Sequence, residues 1–574
     1  MSRSLVRASA LALCALLVSS PFATAQSVLK TVHGNSASDT FGQSIDIVGD
    51  VDGDGFDDYM VGAWRDDDNG NDAGTVRVVS GKDGTTIYSI DGDLPGDHMG
   101  YGSSGAGDVN GDGFADICAA ADEANVGGVS NIGSAKIVSG QNGSVIHFVT
   151  GTNANDLFGW SSAIAGDVDG DGFDDVLIGA LLDDAPGLSG CGSATLISGQ
   201  TGNVLYTLFG GAANDNLGDD VGCAGDTNGD GFIDMIAGAP SADPNGGASG
   251  RATIFSGSDG SVLFHIDGNS AGDRLGDSVD GGVDVDGDGF TDLVVGAPQD
   301  DPGALSNAGT VRVVSGRTHV TLHTFSGDNA GDQLGGAVHG VNDANRDGYA
   351  DVIAGARADD NNGNSSGSVR IWSGRDGAVM VTLSGDSAGD QLGSSVSAGG
   401  DLNNDGWPDV VAGATGDDNG GNGSGSARAW SLIPKGITPF GPGSPGCDGP
   451  QSLMANSVPS IGNAGFALIG ATGPANTGGY LLVSDVPDGA GSDPFGVSAL
   501  FHLKVPPAAT LFALLPSTQD AIGSTLTALP LPNLASLINF NVYVQHASVW
   551  PGPCPGLGAQ NVSTSNGMRI TIQP

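Results

Sequence analysis

The sequence predicts an all-β fold: a seven-bladed β-propeller of four-stranded blades, closed by an N-terminal strand and followed by a small β-sandwich-like domain. Three observations carry this expectation. An acidic loop of the form Asp-x-Asp/Asn-x-Asp-Gly-x-x-Asp begins at Asp50, Asp108, Asp167, Asp226, Asp284, Asp343 and Asp401, 58 or 59 residues apart, and a fixed period of that length marks a repeat architecture. Each unit reads as four short strands. The repeat is also offset at its ends: the seventh unit stops after its third strand, and the missing strand stands at the N-terminus.

Taken in order, a unit opens on a Gly-Asp-x-Φ-Gly turn such as Gly272-Asp273-Arg274-Leu275-Gly276, where Φ is apolar. A first strand, the acidic loop and an apolar strand such as Leu293 to Ala297 follow. That second strand is apolar almost throughout and is expected to be covered on both faces. The third, Thr310 to Val314, alternates, with Arg77, Arg312 and Arg370 at matching places in different units. Radial packing of four-stranded units protects sheet edges, as in a propeller. A linear solenoid is the alternative, and the ends of the repeat decide. Ser426 to Leu432 run into Pro434 with no fourth strand, whereas Ser27 to Gly34 match the fourth strand Ser261 to Gly268. A ring clasped by its own termini accounts for the offset, and the propeller is expected over 27–433.

Composition agrees. Among 574 residues, 100 are Gly and 26 Pro, which disfavours long helices. Residues 1–25 read as a signal peptide: Arg3 and Arg7, an apolar stretch from Ala8 to Val18, then Ala23-Thr24-Ala25 as a cleavage site. Beyond it no apolar run is long enough to cross a membrane as a helix. The expected location is secreted, extracellular or cell-surface. The formal charge of −47 repels nucleic acid and anionic lipid, and divalent cations are the natural counterweight. Five cysteines follow the leader, and export permits disulfides. Cys447 with Cys554 is the expected bridge, while Cys118, Cys191 and Cys223 leave at least one thiol free or intermolecular.

The acidic loops are expected to bind calcium, which takes six to eight oxygen ligands from a flexible loop. Ligands are expected at loop positions 1, 3, 5 and 9 through side chains and at position 7 through the carbonyl. In unit 1 these are Asp50, Asp52, Asp54, Asp58 and Phe56; in unit 2, Asp108, Asn110, Asp112, Asp116 and Phe114. Unit 3 offers Asp167, Asp169, Asp171, Asp175 and Phe173, and unit 4 offers Asp226, Asn228, Asp230, Asp234 and Phe232. Unit 5 has Asp284, Asp286, Asp288, Asp292 and Phe290; unit 6, Asp343, Asn345, Asp347, Asp351 and Tyr349; unit 7, Asp401, Asn403, Asp405, Asp409 and Trp407. Glycine at position 6, Gly55 in unit 1, permits the sharp turn. Position 12, where a helical calcium hand carries Glu, falls instead in the apolar strand (Val61 in unit 1), so the loop joins two strands. Up to seven Ca²⁺ ions are expected. Units 1, 3 and 5, with Asp at position 3, should hold calcium more tightly than units 2, 4, 6 and 7, with Asn.

Φ-Gly before the first strand (Phe41-Gly42, Phe158-Gly159, Leu275-Gly276), Gly-Ala-Pro after the second (Gly238-Ala239-Pro240, Gly296-Ala297-Pro298) and the acidic loop together resemble the FG-GAP repeats of the integrin α-subunit propeller, over about residues 27 to 433. The resemblance implies calcium loops on one face, a partner-binding opposite face, and a role in adhesion or recognition of a protein or glycan ligand. This sequence departs from the family in placing acidic loops in all seven units and in replacing Gly-Ala-Pro by Ala120-Ala121-Asp122 in unit 2.

Residues 434–450 read as a Gly/Pro-rich linker and 451–574 as the β-sandwich-like domain, with strands at Phe466 to Ile469, Tyr480 to Val483, Ala499 to Val505, Asn541 to Gln545 and Met568 to Ile572. Within one chain, what recurs in every blade is read as structural and what departs as a candidate for specificity. Asp39, Asp97, Asp156, Asp215, Asp273, Asp332 and Asp390 recur at one position and are read as structural. Trp64, Arg65, His98, Trp160 and Arg357 depart, on loops expected opposite the calcium face. The sequence holds no H-E-x-x-H or C-x-x-C motif, and no catalytic residue is assigned. Two alternatives to recognition remain: a calcium-dependent polysaccharide-degrading enzyme, its carboxylate pair hidden among the many Asp, and a structural matrix or envelope scaffold.

Overall fold

The alternation of apolar strands with Gly- and Asp-rich turns produces short antiparallel hairpins throughout. A computed structural model describes residues 27–432 except Arg346, together with backbone strands between residues 437 and 571. Among the described residues, seven four-stranded antiparallel sheets follow one another along the chain. Blade 1 comprises Ile45–Gly49, Asp58–Ala63, Thr75–Val79 and Thr86–Asp91, paired in that order. The first strand of each blade is innermost and packs against the first strand of the next, and that of blade 7, Leu392–Ala398, returns to Ile45–Gly49. The ring is therefore closed. Ser27–His33 completes blade 7, running antiparallel to Ser426–Ser431 with Ser27 opposite Ser431 and His33 opposite Ser426, as the offset ends of the repeat require.

The core lies between blades. Val48, Met60, Val76 and Val78 of blade 1 form one cluster with Ile117, Ala119 and Val138 of blade 2. Tyr59 and Val61 of blade 1 join Val411, Ala427 and Ala429 of blade 7. Second strands are buried along their whole length, and fourth strands are only partly buried. The third strand differs from the expected alternation: Thr75–Val79 and Thr310–Val314 are buried at every position. Its arginines are buried because aspartates or carbonyls receive them. Arg77 meets Asp66 at 3.0 Å, Arg370 meets Asp328 at 2.7 Å, and Arg312 donates to the Asp267 carbonyl at 2.9 Å. A partnered charge survives where an isolated one would be excluded.

Adjacent blades meet backbone to backbone. A Cβ on Gly296 would fall well inside contact distance of the Gly335 carbonyl of the next blade, and the same holds for Gly62 with Gly100 and Gly413 with Gly42. A serine hydroxyl secures several of these junctions: Ser44 donates to the Gly100 carbonyl at 3.0 Å, Ser161 to Gly218 at 2.9 Å, and Ser395 to Gly42 at 2.8 Å across the closure. The axial channel, a cavity of about 820 Å³, is lined by first strands. Asp46 there accepts from Ser397 Oγ at 3.0 Å and from the Gly105 N–H at 2.9 Å, joining blades 7, 1 and 2. His339 pairs with Asp280 at 3.0 Å.

Strands at Ala467–Ala471, Gly478–Ser484, Phe501–Leu503, Asn541–Val549 and Gly567–Thr571 meet the five expected after the linker. The leader, the Cys447 to Cys554 bridge and the sandwich packing expected for 451–574 lie outside the described residues.

Two outcomes follow from the blade junctions. Gly296→Ala should lower stability by about 3 kcal/mol through steric conflict with backbone, read as a fall in Tm. Burial alone would lower the His339 pKa, but Asp280, with Asp46 behind it, raises it to about 9. A histidine raised above its unfolded value stabilises the fold fully below about pH 6.5 and loses that contribution as pH rises through about 9. His339→Gln should thus be less stable than the parent at pH 6 and equal to it at pH 10 in denaturant titrations.

Candidate functional site

Each acidic loop joins the end of a first strand to the start of a second, so all seven lie on one face. Glycine at position 6 has φ between +81° and +94° in every loop, from Gly406 to Gly348, a region costly for other residues. The position 1 carboxylate accepts loop N–H groups: Asp50 from Asp54 at 2.9 Å and Gly55 at 2.8 Å, Asp226 from Gly229 at 2.7 Å and Gly231 at 3.0 Å. Position 9 is fully buried in all seven blades. In blade 3 the Asp175 carboxylate accepts from the Val168 N–H at 3.0 Å and from the Gly199 N–H, beyond the third strand, at 3.0 Å. The same pair of bonds recurs at Asp58, Asp116, Asp234, Asp292 and Asp351. Neighbouring loops are tied as well: the Asp401 N–H donates to Asp57 at 2.7 Å, and Ala350 donates to the Asp284 carbonyl at 3.0 Å.

The fold brings carboxylates at positions 1, 3 and 9 together in blades 1, 3 and 5. Ligand atoms of Asp50, Asp52 and Asp58 lie within 4.8 Å of one another, as do those of Asp167, Asp169 and Asp175 and of Asp284, Asp286 and Asp292. Position 5 is drawn partly aside: Asp54 pairs with Lys82 at 3.2 Å and Asp288 with Arg317 at 3.6 Å. The rings at position 7 lie under these cations, Phe56 beneath Lys82 and Phe290 beneath Arg317. Where position 3 is Asn, its amide can brace the loop internally: Asn110 donates to Asp116 at 3.1 Å and Asn403 to Asp409 at 2.9 Å. Two buried loop oxygens, Asp167 Oδ1 and Asn345 Oδ1, have no hydrogen-bond partner. Burial raises the Asp58 and Asp116 carboxyls to about 7, Asp175 and Asp292 to about 6, and Asp409 to about 9. A cation among these oxygens is the physical means of holding them ionised at neutral pH, and an all-oxygen donor set fits a hard divalent ion.

The opposite face carries the departures from the repeat. Trp64 and Arg65 follow the second strand of blade 1, His98 and Tyr101 enter blade 2, and Trp160 lies in the first strand of blade 3, Phe158–Gly166. They form one row: Trp64 to His98 at 4.6 Å, Trp64 to Tyr101 at 5.8 Å, and Tyr101 to Trp160 at 4.6 Å between ring centres, with the Arg65 guanidinium 4.2 Å over Trp64. Tyr101 and Trp160 also line the channel, as do Asp219, Arg274, Asp277 and Arg357. Burial, reinforced by Asp277, raises the Asp219 carboxyl to about 8. Arg357 stands apart from the row and donates to Gln333 at 3.3 Å. The mouth thus offers flat aromatic surface beside charged and hydrogen-bonding groups.

The FG-GAP repeat family matches residues 158–194, 275–314 and 392–429. The chain is 31% identical over 241 residues to integrin alpha-PS2 of Drosophila melanogaster, covering 38% of this chain and 17% of that protein. It is 30% identical to integrin alpha-5 of Xenopus laevis, over 35% of this chain and 20% of that one, and 27% identical to integrin alpha-V of Gallus gallus, over 34% and 20%. This is an integrin-α-like FG-GAP propeller. The aligned part spans a fifth or less of the length of these relatives.

In the FG-GAP propeller the recurring aspartates have a common task. Asp39, Asp97, Asp156, Asp215, Asp273, Asp332 and Asp390 each accept the backbone N–H three residues earlier, at 2.6 to 2.9 Å. The following residue, Thr40, His98, Leu157, Asn216, Arg274, Gln333 or Gln391, takes φ between +54° and +60°. Sequence reasoning missed Tyr101, Asp122 and Glu123 as mouth residues; the loss of Gly-Ala-Pro at Ala120-Ala121-Asp122 was the available signal. Cys118, Cys191 and Cys223 are free thiols. His147 and His323, on fourth strands, donate from Nε2 to the Gly199 and Gly374 carbonyls of the next blade at 2.6 Å and are structural. Asp175→Ala removes the acceptor of two buried N–H groups and should cost about 2–4 kcal/mol in urea unfolding even with chelator present, because these bonds need no metal.

Proposed function

We propose that this chain is a secreted or cell-surface calcium-binding propeller that recognises a protein or glycan ligand at the channel mouth, with the acidic loops serving as calcium staples of the scaffold. The row Trp64, Tyr101, Trp160, flanked by Arg65 and Asp219 on the face away from the loops, carries this reading. Aromatic faces beside polar groups suit sugar rings and protein side chains. The calcium part is supported by the converging carboxylates and the two unpartnered loop oxygens. Side-chain oxygens at positions 1, 3, 5 and 9 and the carbonyl at position 7 would hold the ion, most tightly in blades 1, 3 and 5.

Export is supported by the leader-like residues 1–25, and among the described residues no helix is long and apolar enough to cross a membrane. Residues 434–450 would serve as a linker to an accessory β domain at 451–574. The acidic charge disfavours nucleic acid as partner.

Two measurements test this reading. Offered a glycan, matrix-protein and cell-envelope panel, the chain should retain a ligand unchanged in calcium and release it in chelator, and Trp160→Ala should weaken retention at least about tenfold. Conversion of a panel member into product, or calcium-driven self-assembly with nothing retained, would overturn recognition. In calcium titrations, Asn110→Asp should tighten its loop and Asp169→Asn should loosen its own; equal affinities would refute the ranking.

A further inference from the structure

In blades 6, 7 and 2 the residue with left-handed backbone that precedes the first strand lies near the residue following the second strand, and the blades serve as controls for one another. In blade 6 the two are Gln333 and Arg357, bonded at 3.3 Å; in blade 7 they are Gln391 and Thr415, bonded at 3.2 Å. In blade 2 the same positions hold His98 and Asp122, with Glu123 alongside. Here no hydrogen bond closes the gap: His98 Nδ1 lies 4.0 Å from Asp122 Oδ1 and 3.8 Å from Glu123 Oε1, beyond hydrogen-bond reach.

All three donor atoms nevertheless stand within 4.8 Å of one another. The Asp122 side chain is only 3% exposed, and its Oδ1 has no hydrogen-bond partner. A buried carboxylate oxygen without a partner is costly, so the arrangement calls for something positive between the three groups. Zinc bonds of about 2.0–2.2 Å to imidazole nitrogen and carboxylate oxygen put tetrahedral donors about 3.4 Å apart. The two gaps from His98 exceed this by about half an ångström, and Glu123, with its side chain 41% exposed, is free to move inward. Trp64, edge-on to the His98 ring, fixes the imidazole from the other side.

We infer that His98, Asp122 and Glu123 form a binding site for a divalent transition-metal ion of the zinc type at the channel mouth, on the face opposite the acidic loops. Calcium is the wrong occupant: it prefers six to eight oxygens, whereas this site supplies one nitrogen and two carboxylates, a set suited to zinc. The site depends neither on the calcium loops nor on the identity of any ligand.

The test is zinc titration by calorimetry on the full chain in saturating calcium, with variants borrowed from blade 6. His98→Gln copies Gln333, and Glu123→Ala copies Ala358, so both substitutions place residues the fold already accepts there. The expected result is one zinc site that excess calcium does not displace, weakened at least about tenfold in each variant, with Tm unchanged. Absence of zinc binding by the parent chain, displacement by calcium, or full retention in both variants would overturn the assignment.

Discussion

The rest of the structure depends on the close approach between blades, where the second-strand glycine of one blade meets the carbonyl of the next blade's Φ-Gly turn. Gly62, Gly179, Gly238, Gly296, Gly355 and Gly413 all stand where a Cβ would collide with that carbonyl. This contact fixes how near successive sheets come, and hence the interdigitation of Met60 with Ile117 and of Tyr59 with Val411 across the same junctions. Because it is made by backbone, it holds the same geometry whatever side chains surround it. Six such contacts, with the junction of blades 2 and 3 made another way, return the ring to Gly42, where Ser395 donates to the closing carbonyl. Burial supplies the driving force, and the glycine contact sets the spacing at which burial is realised.

Much of the acidity is used within the scaffold. In each blade one aspartate caps the entry turn, and in blades 1 to 6 one, at loop position 9, gathers N–H groups from two connections. In several blades a third, such as Asp66 or Asp417, receives a buried arginine. These carboxylates replace backbone partners that short strands and long turns cannot provide for themselves. The net charge is therefore a poor guide to the ligand. At the mouth, the left-handed residue and the residue after the second strand differ from blade to blade because neither forms the glycine contact.

The fold was legible because its rules recur. Seven loops at constant spacing counted the blades, and the match of Ser27 to His33 with a fourth strand located the closure. Two features escaped for physical reasons. The third strand read as half-exposed because Arg77 and Arg370 look like surface residues until the aspartates from a neighbouring loop are seen to receive them. The mouth was legible only in part: Trp64, His98 and Trp160 stood out as departures, but Tyr101, Asp122 and Glu123 acquire meaning only when three blades curve around one axis. The inequality among acidic loops was readable from position 3, although not that an asparagine amide can brace the loop in place of a cation.

The most informative departure is the junction of blades 2 and 3. Ala120 occupies the position of the second-strand glycine, and its methyl fills the space into which other blades admit a carbonyl. The small residue has moved to Gly102, where blades 1, 3, 5 and 7 carry Ser44, Ser161, Ser278 and Ser395. It is now the Trp160 carbonyl that crowds the site a Cβ on Gly102 would need, while Ser162 bonds the Gly102 carbonyl at 2.7 Å. The close approach is preserved, but the contact has passed from Gly159 to Trp160. That exchange draws the Trp160 backbone against blade 2 and sets its ring 4.6 Å from Tyr101. A glycine exchanged from the second strand to the entry of the first thus gives the mouth its aromatic row, next to the blade whose altered Gly-Ala-Pro supplies Asp122.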